Sequence, residues 1–452
     1  MADAALAPSL GDSGRIPLSL QQEFLRMIDH GDETGPFGSR YTIVGGWRIL
    51  GPIDVDALQG ALDDVVVRHE SLRTVIVRDD GIPYQTVLPA SSPTLTVRDL
   101  DWDGDREVAE EDFLNAIEAE GFSIHEMPLL QAVLGRFDEE SAVLALIAHH
   151  TAVDGWSIHR IIRDVAAYYV ARRKGTEPVL PEVHQYREYV EWQQGTAESP
   201  ALQASRDYWR DNLRGAQVTP IRSDLTRSEE PFVTGWHRFL IEDEYLGSVN
   251  AVAVETRSSP FMVLLAVYLM YLNETTGRTD LVVPTFMPGR QPSWVEETVG
   301  SFYNFVPLRV DVAGASGLTE VISRVRKTCL SAYAHEIPFG QLLEEAPDVM
   351  TDALGANAAA CAFQVTQSPF MMHDQPAADL RFTAIRRRVV SAPMGSQIPD
   401  GLLWGLEVHP DGGIVGSIGY TTNLFVEESV AAMADDFRGT LLRALLFSEL
   451  IS

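Results

Sequence analysis

Cysteine is nearly missing from these 452 residues: Cys329 and Cys361 are the whole complement. That is too few for a disulfide framework or a thiolate metal site, and it points to a reduced, cytoplasmic compartment. Both read as small buried apolar side chains. Lysine is almost as scarce, with only Lys174 and Lys327 among 35 basic residues, a bias we attribute to codon usage rather than chemistry. Positive charge as a whole is short: 64 acidic residues give a formal net charge of -29. Such a surface repels phosphate backbones and anionic headgroups, which argues against a nucleic-acid or membrane-surface role. No apolar run approaches the roughly 20 residues that a bilayer-spanning helix needs. The longest, FMVLLAVYLMYL at 261–272, reads as a buried helix. The opening stretch 1–14 lacks a basic patch followed by an apolar core and is expected to be a short flexible lead. Internal repeats, low-complexity tracts, heptad runs, a G-x-S-x-G elbow and a glycine-rich phosphate loop are all missing as well.

What is present is a folded, globular composition, 45% apolar and 22% charged, in a chain longer than one hydrophobic core usually supports. Two lobes follow as the expectation. Helices and strands mix in both halves, an α/β pattern (α+β in two-layer lobes). Leu58, Leu62, Val65 and Val66 share one helical face within 53–69, with Asp54 or Asp56 available as cap. SAVLALIAHH at 141–150 is continuously apolar, as in a strand buried on both faces, and the amphipathic stretch after it ends in Arg172, Arg173, Lys174 and Gly175, as a helix C-terminus should. The polar, proline-bearing segment 179–205 reads as a linker between an N-terminal lobe at 15–178 and a C-terminal lobe at 206–452. Further elements are expected for a helix from Ser259, a strand at 280–287, a helix at 318–334 and strands near 361–368, 402–408 and 413–420.

The chemistry concentrates at the end of the apolar strand. His149 and His150 are adjacent, Asp154 stands four residues beyond the second, and Gly155 follows directly. Neighbouring strand residues point to opposite faces, so one imidazole faces a cavity while the other is turned inward. An imidazole of ordinary pKa can take a proton from an attacking amine or hydroxyl and return it. Asp154 suits an anchoring role through a buried arginine, with Arg73 and Arg290 as candidates, and Gly155 leaves room for substrate. No further spaced ligands support a metal.

The motif H-H-x-x-x-D-G, here His149, His150, Asp154 and Gly155, resembles the signature of nonribosomal peptide synthetase condensation domains, relatives of chloramphenicol acetyltransferase. Other stretches carry the same resemblance: PLSLQQEFL at 17–25, RHESLRT at 68–74, YREYVEWQ at 186–193, VGSFYNFVPLRV at 299–310 and HEIPFGQLL at 335–343. A seventh family motif is matched poorly by AFQVTQSPF at 362–370, and Tyr303 and Phe305 stand where valine and threonine are commoner.

The resemblance implies two chloramphenicol acetyltransferase-like lobes set as a V-shaped pseudodimer around a central tunnel, with a carrier-bound donor entering from one side and an acceptor from the other. It implies that His150 is the catalytic histidine, that His149 is structural, and that Asp154 pairs with an arginine, Arg290 before Arg73. Trp156, Ser157, Tyr303 and Asn304 become candidates for the substrate lining, although Trp156 reads more readily as a packing residue than as a substrate platform. Arg386, Arg387 and Arg388 form a basic run suited to docking the phosphate of a phosphopantetheine arm or an acidic carrier. The expected activity is a stand-alone condensation acyltransferase making an amide or ester in natural-product biosynthesis. It would use no bound cofactor or metal and would act, as a monomer, on an acyl or peptidyl carrier protein in trans. An O-acyltransferase using a soluble alcohol and a non-catalytic carrier-docking module are the competing readings.

Overall fold

The computed structural model describes residues 14–29, 31, 35–78, 82–228, 232–367, 372–409 and 412–449. The expected flexible lead at 1–14 therefore lies almost wholly outside the described residues.

Two six-stranded sheets organise the chain. The first runs, from edge to edge, Gln375–Ala377, Leu380–Ala384, Thr42–Leu50, Ser141–His149, Leu130–Asp138 and Leu95–Asp99. The second runs Asn304–Asp311, Asp280–Met287, Cys361–Thr366, Leu402–Val408, Ile414–Thr421 and Thr234–Ile241. Each sheet has its own apolar core, so the α/β, two-lobed expectation is met.

Local chemistry explains the elements that frame the site. Leu58, Leu62, Val65 and Val66 are all buried on the helix Val55–Arg68, whose first turn is capped by Asp54 accepting from the Ala57 N–H. All nine residues of the strand Ser141–His149 are buried, because both sheet faces are covered. After a four-residue turn Asp154 caps the helix Gly155–Lys174, which stops where Gly175 adopts the left-handed conformation at φ 62°. The helix Pro260–Thr276, opened by the Ser259 cap, lies in the second core with ten of its residues buried. Among the described residues no single helix is long and apolar enough to cross a membrane.

The structure corrects two boundaries. The segment 179–205 is not an extended connection: it contains the helix Tyr186–Thr196 and the start of the helix Pro200–Asn212. Tyr186, Tyr189 and Val190 of the first helix form a third small core with Val295 and Phe302. Nor does the second half stay in its own lobe. Residues 375–384 cross over: Leu380–Ala384 pairs antiparallel with the Trp47–Leu50 end of Thr42–Leu50, matching Trp47 with Ala384 and Ile49 with Phe382, and Gln375–Ala377 pairs in turn with Leu380–Ala384 at the sheet edge. Alternating apolar residues Ala377, Leu380 and Phe382 bury their side chains in the first core, which offsets the cost of ordering the excursion.

Candidate active site

The register of the first sheet sets the geometry around His150. Thr42 pairs with His149 across the central two strands, and one step further the His150 N–H donates to the Tyr41 carbonyl at 2.8 Å. Tyr41 and His150 are therefore cross-strand neighbours, with ring centroids 5.1 Å apart in a stacked arrangement. His149 points the other way and is wholly buried.

The two imidazoles hold opposite tautomers, and their partners show why. His149 Nε2 lies 3.1 Å from the Gly38 carbonyl, which can only accept, so Nε2 carries the proton and Nδ1 accepts from the Thr151 hydroxyl at 2.9 Å. Burial pushes its pKa down to about 4, and both nitrogens are occupied. In His150 it is Nδ1 that lies 2.8 Å from a carbonyl, that of Val153. Nδ1 is thus the donor, and Nε2 keeps an unshared lone pair with no hydrogen-bond partner among the described residues. The ring is half-buried, and that burial lowers its pKa below the ordinary 6.5, leaving a neutral base at physiological pH.

Asp154 clasps the turn to the other half of the chain. It caps its own helix by accepting from the Ser157 N–H at 2.7 Å, and Arg290 Nη2 reaches both of its oxygens. The same guanidinium donates to the carbonyls of Val295 and Thr298 and to the Ser157 hydroxyl, and lies 4.3 Å from the Phe302 ring centroid. Arg290 is the partner of Asp154. Arg73 is not: it donates to the carbonyls of Val66 and Leu88 and holds its own loop.

Ser157 belongs to the clasp and not to a substrate surface. Fully buried, it donates to the Gly300 carbonyl at 2.9 Å and accepts from the Gly300 N–H at 3.1 Å. A β-carbon at position 300 would meet the Tyr186 ring at 2.1 Å, so only glycine permits this approach. Gly155 differs: it is exposed, with open space where a β-carbon would stand.

The remaining expectations divide. Tyr303 is brought to the base: its ring centroid lies 4.6 Å from that of His150, and its hydroxyl meets that of Tyr41 at 2.5 Å. Asn304 instead anchors backbone, donating to the Ile337 carbonyl and accepting from the Phe339 N–H. Trp156 is half-buried beside the guanidinium groups of Arg160 and Arg290, which makes it a packing residue. The basic run is not a free docking patch. Arg386 is paired with Glu407, and Arg388 binds Glu118 and Asn115 together with Arg238. Arg387 alone of the three is exposed. Among the described residues no group of His, Cys, Asp or Glu is arranged to hold a metal ion.

Sequence reasoning passed over Tyr41. Its only signal is its place just before a strand, and which strand faces it depends on register. It also passed over an aromatic cluster beyond Tyr303, in which Phe286 and Phe305 pack at 4.3 Å and Phe24 and Phe339 at 5.2 Å.

The chain is similar to known proteins over nearly its whole length. The sequence profile named Condensation domain matches residues 13–448. The chain belongs to the condensation-domain family. Its residues are 31% identical over 350 positions to phosphinothricin tripeptide synthetase PhsC of Streptomyces viridochromogenes, a match covering 76% of this chain but 32% of that protein. With the dimodular nonribosomal peptide synthase of Bacillus subtilis the identity is 29%, over 93% of this chain and 18% of the other. The chain thus spans a third or less of these synthetases. Among solved structures, the SgcC5 protein of Streptomyces globisporus, crystallised with (R)-(-)-1-(2-naphthyl)-1,2-ethanediol and sucrose, superposes with a TM-score of 0.91 at 44% identity, covering 95% of this chain and 98% of that one. The first condensation domain of the calcium-dependent antibiotic synthetase shares the fold, with a TM-score of 0.78 at 19% identity over 96% and 97% of the two chains. This condensation domain accordingly has the two-lobe, chloramphenicol acetyltransferase-like architecture of its family.

Proposed function

We propose that this condensation domain transfers an acyl or aminoacyl group from the phosphopantetheine thioester of a carrier protein, supplied in trans, to an amine or hydroxyl acceptor. The single observation that carries the reading is His150: its tautomer is fixed by Val153, its Nε2 has no hydrogen-bond partner among the described residues, and its ring stands between Tyr41 of one lobe and Tyr303 of the other. The two reactants meet there, entering a tunnel between the lobes from opposite faces, and the domain works as a monomer without a bound cofactor.

A thioester is already activated, so the step needs alignment and the handling of one proton. Nε2 accepts the acceptor's N–H or O–H proton while that nitrogen or oxygen attacks the thioester carbonyl carbon. The tetrahedral intermediate then collapses, the C–S bond breaks, and the imidazolium returns the proton to the departing thiolate. General-base assistance of this kind is worth roughly 10²–10⁴-fold.

Of the two products, the ester is favoured. SgcC5, 44% identical, was crystallised with an aryl diol, a molecule that offers hydroxyls and no amine. Tyr303, Phe286 and Phe24 are only part-buried and supply flat apolar surface on the Tyr303 side of His150, suited to an aryl group. The test is an assay with an acyl-loaded carrier and a matched pair of acceptors, an aryl alcohol and the corresponding amine. Ester formation that disappears in His150→Ala is the expected result. Unchanged turnover by that variant would overturn the role of His150. Failure of the native protein to acylate either acceptor would leave a carrier-docking module in place of a transferase.

A further inference from the structure

The hydroxyls of Tyr41 and Tyr303 are 2.5 Å apart, and each ring packs against His150. Tyr41 stands immediately before the strand Thr42–Leu50 of the first sheet, and Tyr303 immediately before the strand Asn304–Asp311 of the second. The bond between the two phenols therefore joins the lobes at the imidazole itself. Neither hydroxyl has another partner among the described residues, so each phenol is the other's only polar anchor.

His150 needs such support. One side-chain hydrogen bond, Nδ1 to the Val153 carbonyl, holds a ring that can turn about two single bonds. A half-turn about the bond to the ring would break that contact and aim the free nitrogen elsewhere. Two aromatic rings in contact with the imidazole obstruct the turn, and they do so together only while their hydroxyls tie them. Both phenols are protonated at neutral pH, as the tie requires, and burial pushes their pKa values higher still, that of Tyr41 up to about 12. Asp154 and His149 are the other titratable groups that His150 feels, and neither hydrogen-bonds to its ring.

We propose that Tyr41 and Tyr303 are a pair of positioning residues, a clamp closed from both lobes that holds the His150 ring in the one orientation presenting Nε2 to the reacting centre. The kinetic arm of the test rests on the acyl-transfer reading, and the spectroscopic arm does not.

Tyr41→Phe, Tyr303→Phe and the double variant remove the bond and keep the rings, so folding can be verified by thermal melting before anything else is measured. In ¹⁵N-histidine spectra, with the His150 signals assigned by comparison with His150→Ala, the native protein is expected to show a single Nδ1-protonated tautomer. Each single variant is expected to show a second tautomer or exchange broadening at His150. In the transfer assay kcat falls about tenfold while KM stays within about twofold, the mark of a misaimed base rather than weakened binding. Because either change breaks the same bond, the double variant loses no more than a single one. Unchanged His150 signals in both single variants, or kcat losses that multiply in the double, would overturn the clamp. A native protein without transferase activity sinks the acyl-transfer reading alone and leaves the spectra to decide the clamp.

Discussion

Arg290 and Asp154, 136 residues apart in the chain, meet with one guanidinium nitrogen 2.9 and 3.2 Å from the two carboxylate oxygens, and both side chains are only 6% exposed. The turn that carries His150 is thus held from the opposite lobe by a desolvated ion pair, and its neighbours Ser157 and Gly300 complete the hold. Removing one member of such a pair leaves the other buried and uncompensated, which costs about 3–5 kcal/mol.

Asp154→Ala should accordingly lower the denaturation midpoint and abolish transfer together, because it strands Arg290 and uncaps the helix. Asp154→Asn keeps an acceptor for the Ser157 N–H and should lose less stability. Chemical denaturation of the two variants beside the native protein checks this; equal stability of Asp154→Ala and the native protein would contradict it.

A second expectation concerns pH and turnover. Only neutral His150 can take a proton, and its pKa lies below 6.5 because burial disfavours the imidazolium. The kcat/KM of acyl transfer should therefore be flat from pH 7 upward and fall on acidification through a midpoint below 6.5. A limb centred above 6.5 would show that another group, or an imidazolium stabilised by a neighbouring charge, controls the rate.

His149 makes a separate contribution, to acid stability. Its pKa in the fold is about 4, against 6.5 when free, so between those values the unfolded chain binds a proton that the folded protein excludes. The sign follows: stability rises with pH across this window and is lost as pH falls from 6.5 toward 4, by on the order of 3 kcal/mol. Denaturation midpoints of native protein and His149→Gln across this range should converge as the pH drops. Parallel curves would mean that His149 is not the group responsible.

Much of the turn around His150 was legible from local rules. The alternation of strand side chains separates His149 from His150, and the basic last turn with Gly175 marks where the following helix stops. The helix Leu318–Ala334 and the strand Leu402–Val408 likewise fall where periodicity and composition put them. Partnerships set by tertiary packing were not legible. Nothing local tells that Arg388 is consumed by Glu118 or that Arg386 pairs with Glu407, so a run of three arginines looked like a docking patch. Tyr41 was missed for a similar reason, since its place beside His150 comes from a pairing register between strands about a hundred residues apart. The helices within 179–205 were hidden by flanking prolines and polar residues that resemble a connector until Tyr186 and Tyr189 find their apolar partners.

The excursion of residues 375–384 into the first sheet bears on how this molecule can be taken apart. A fragment ending near residue 178 would retain Thr42–Leu50 but strip its Trp47–Leu50 end of the partner Leu380–Ala384, baring the amides and carbonyls that face that edge. Exposed rows of that kind recruit strands from other chains, so the half-molecule is a candidate for clumping and not for independent life. The halves are consequently interlaced rather than merely hinged, and any opening between them must bend around this shared seam.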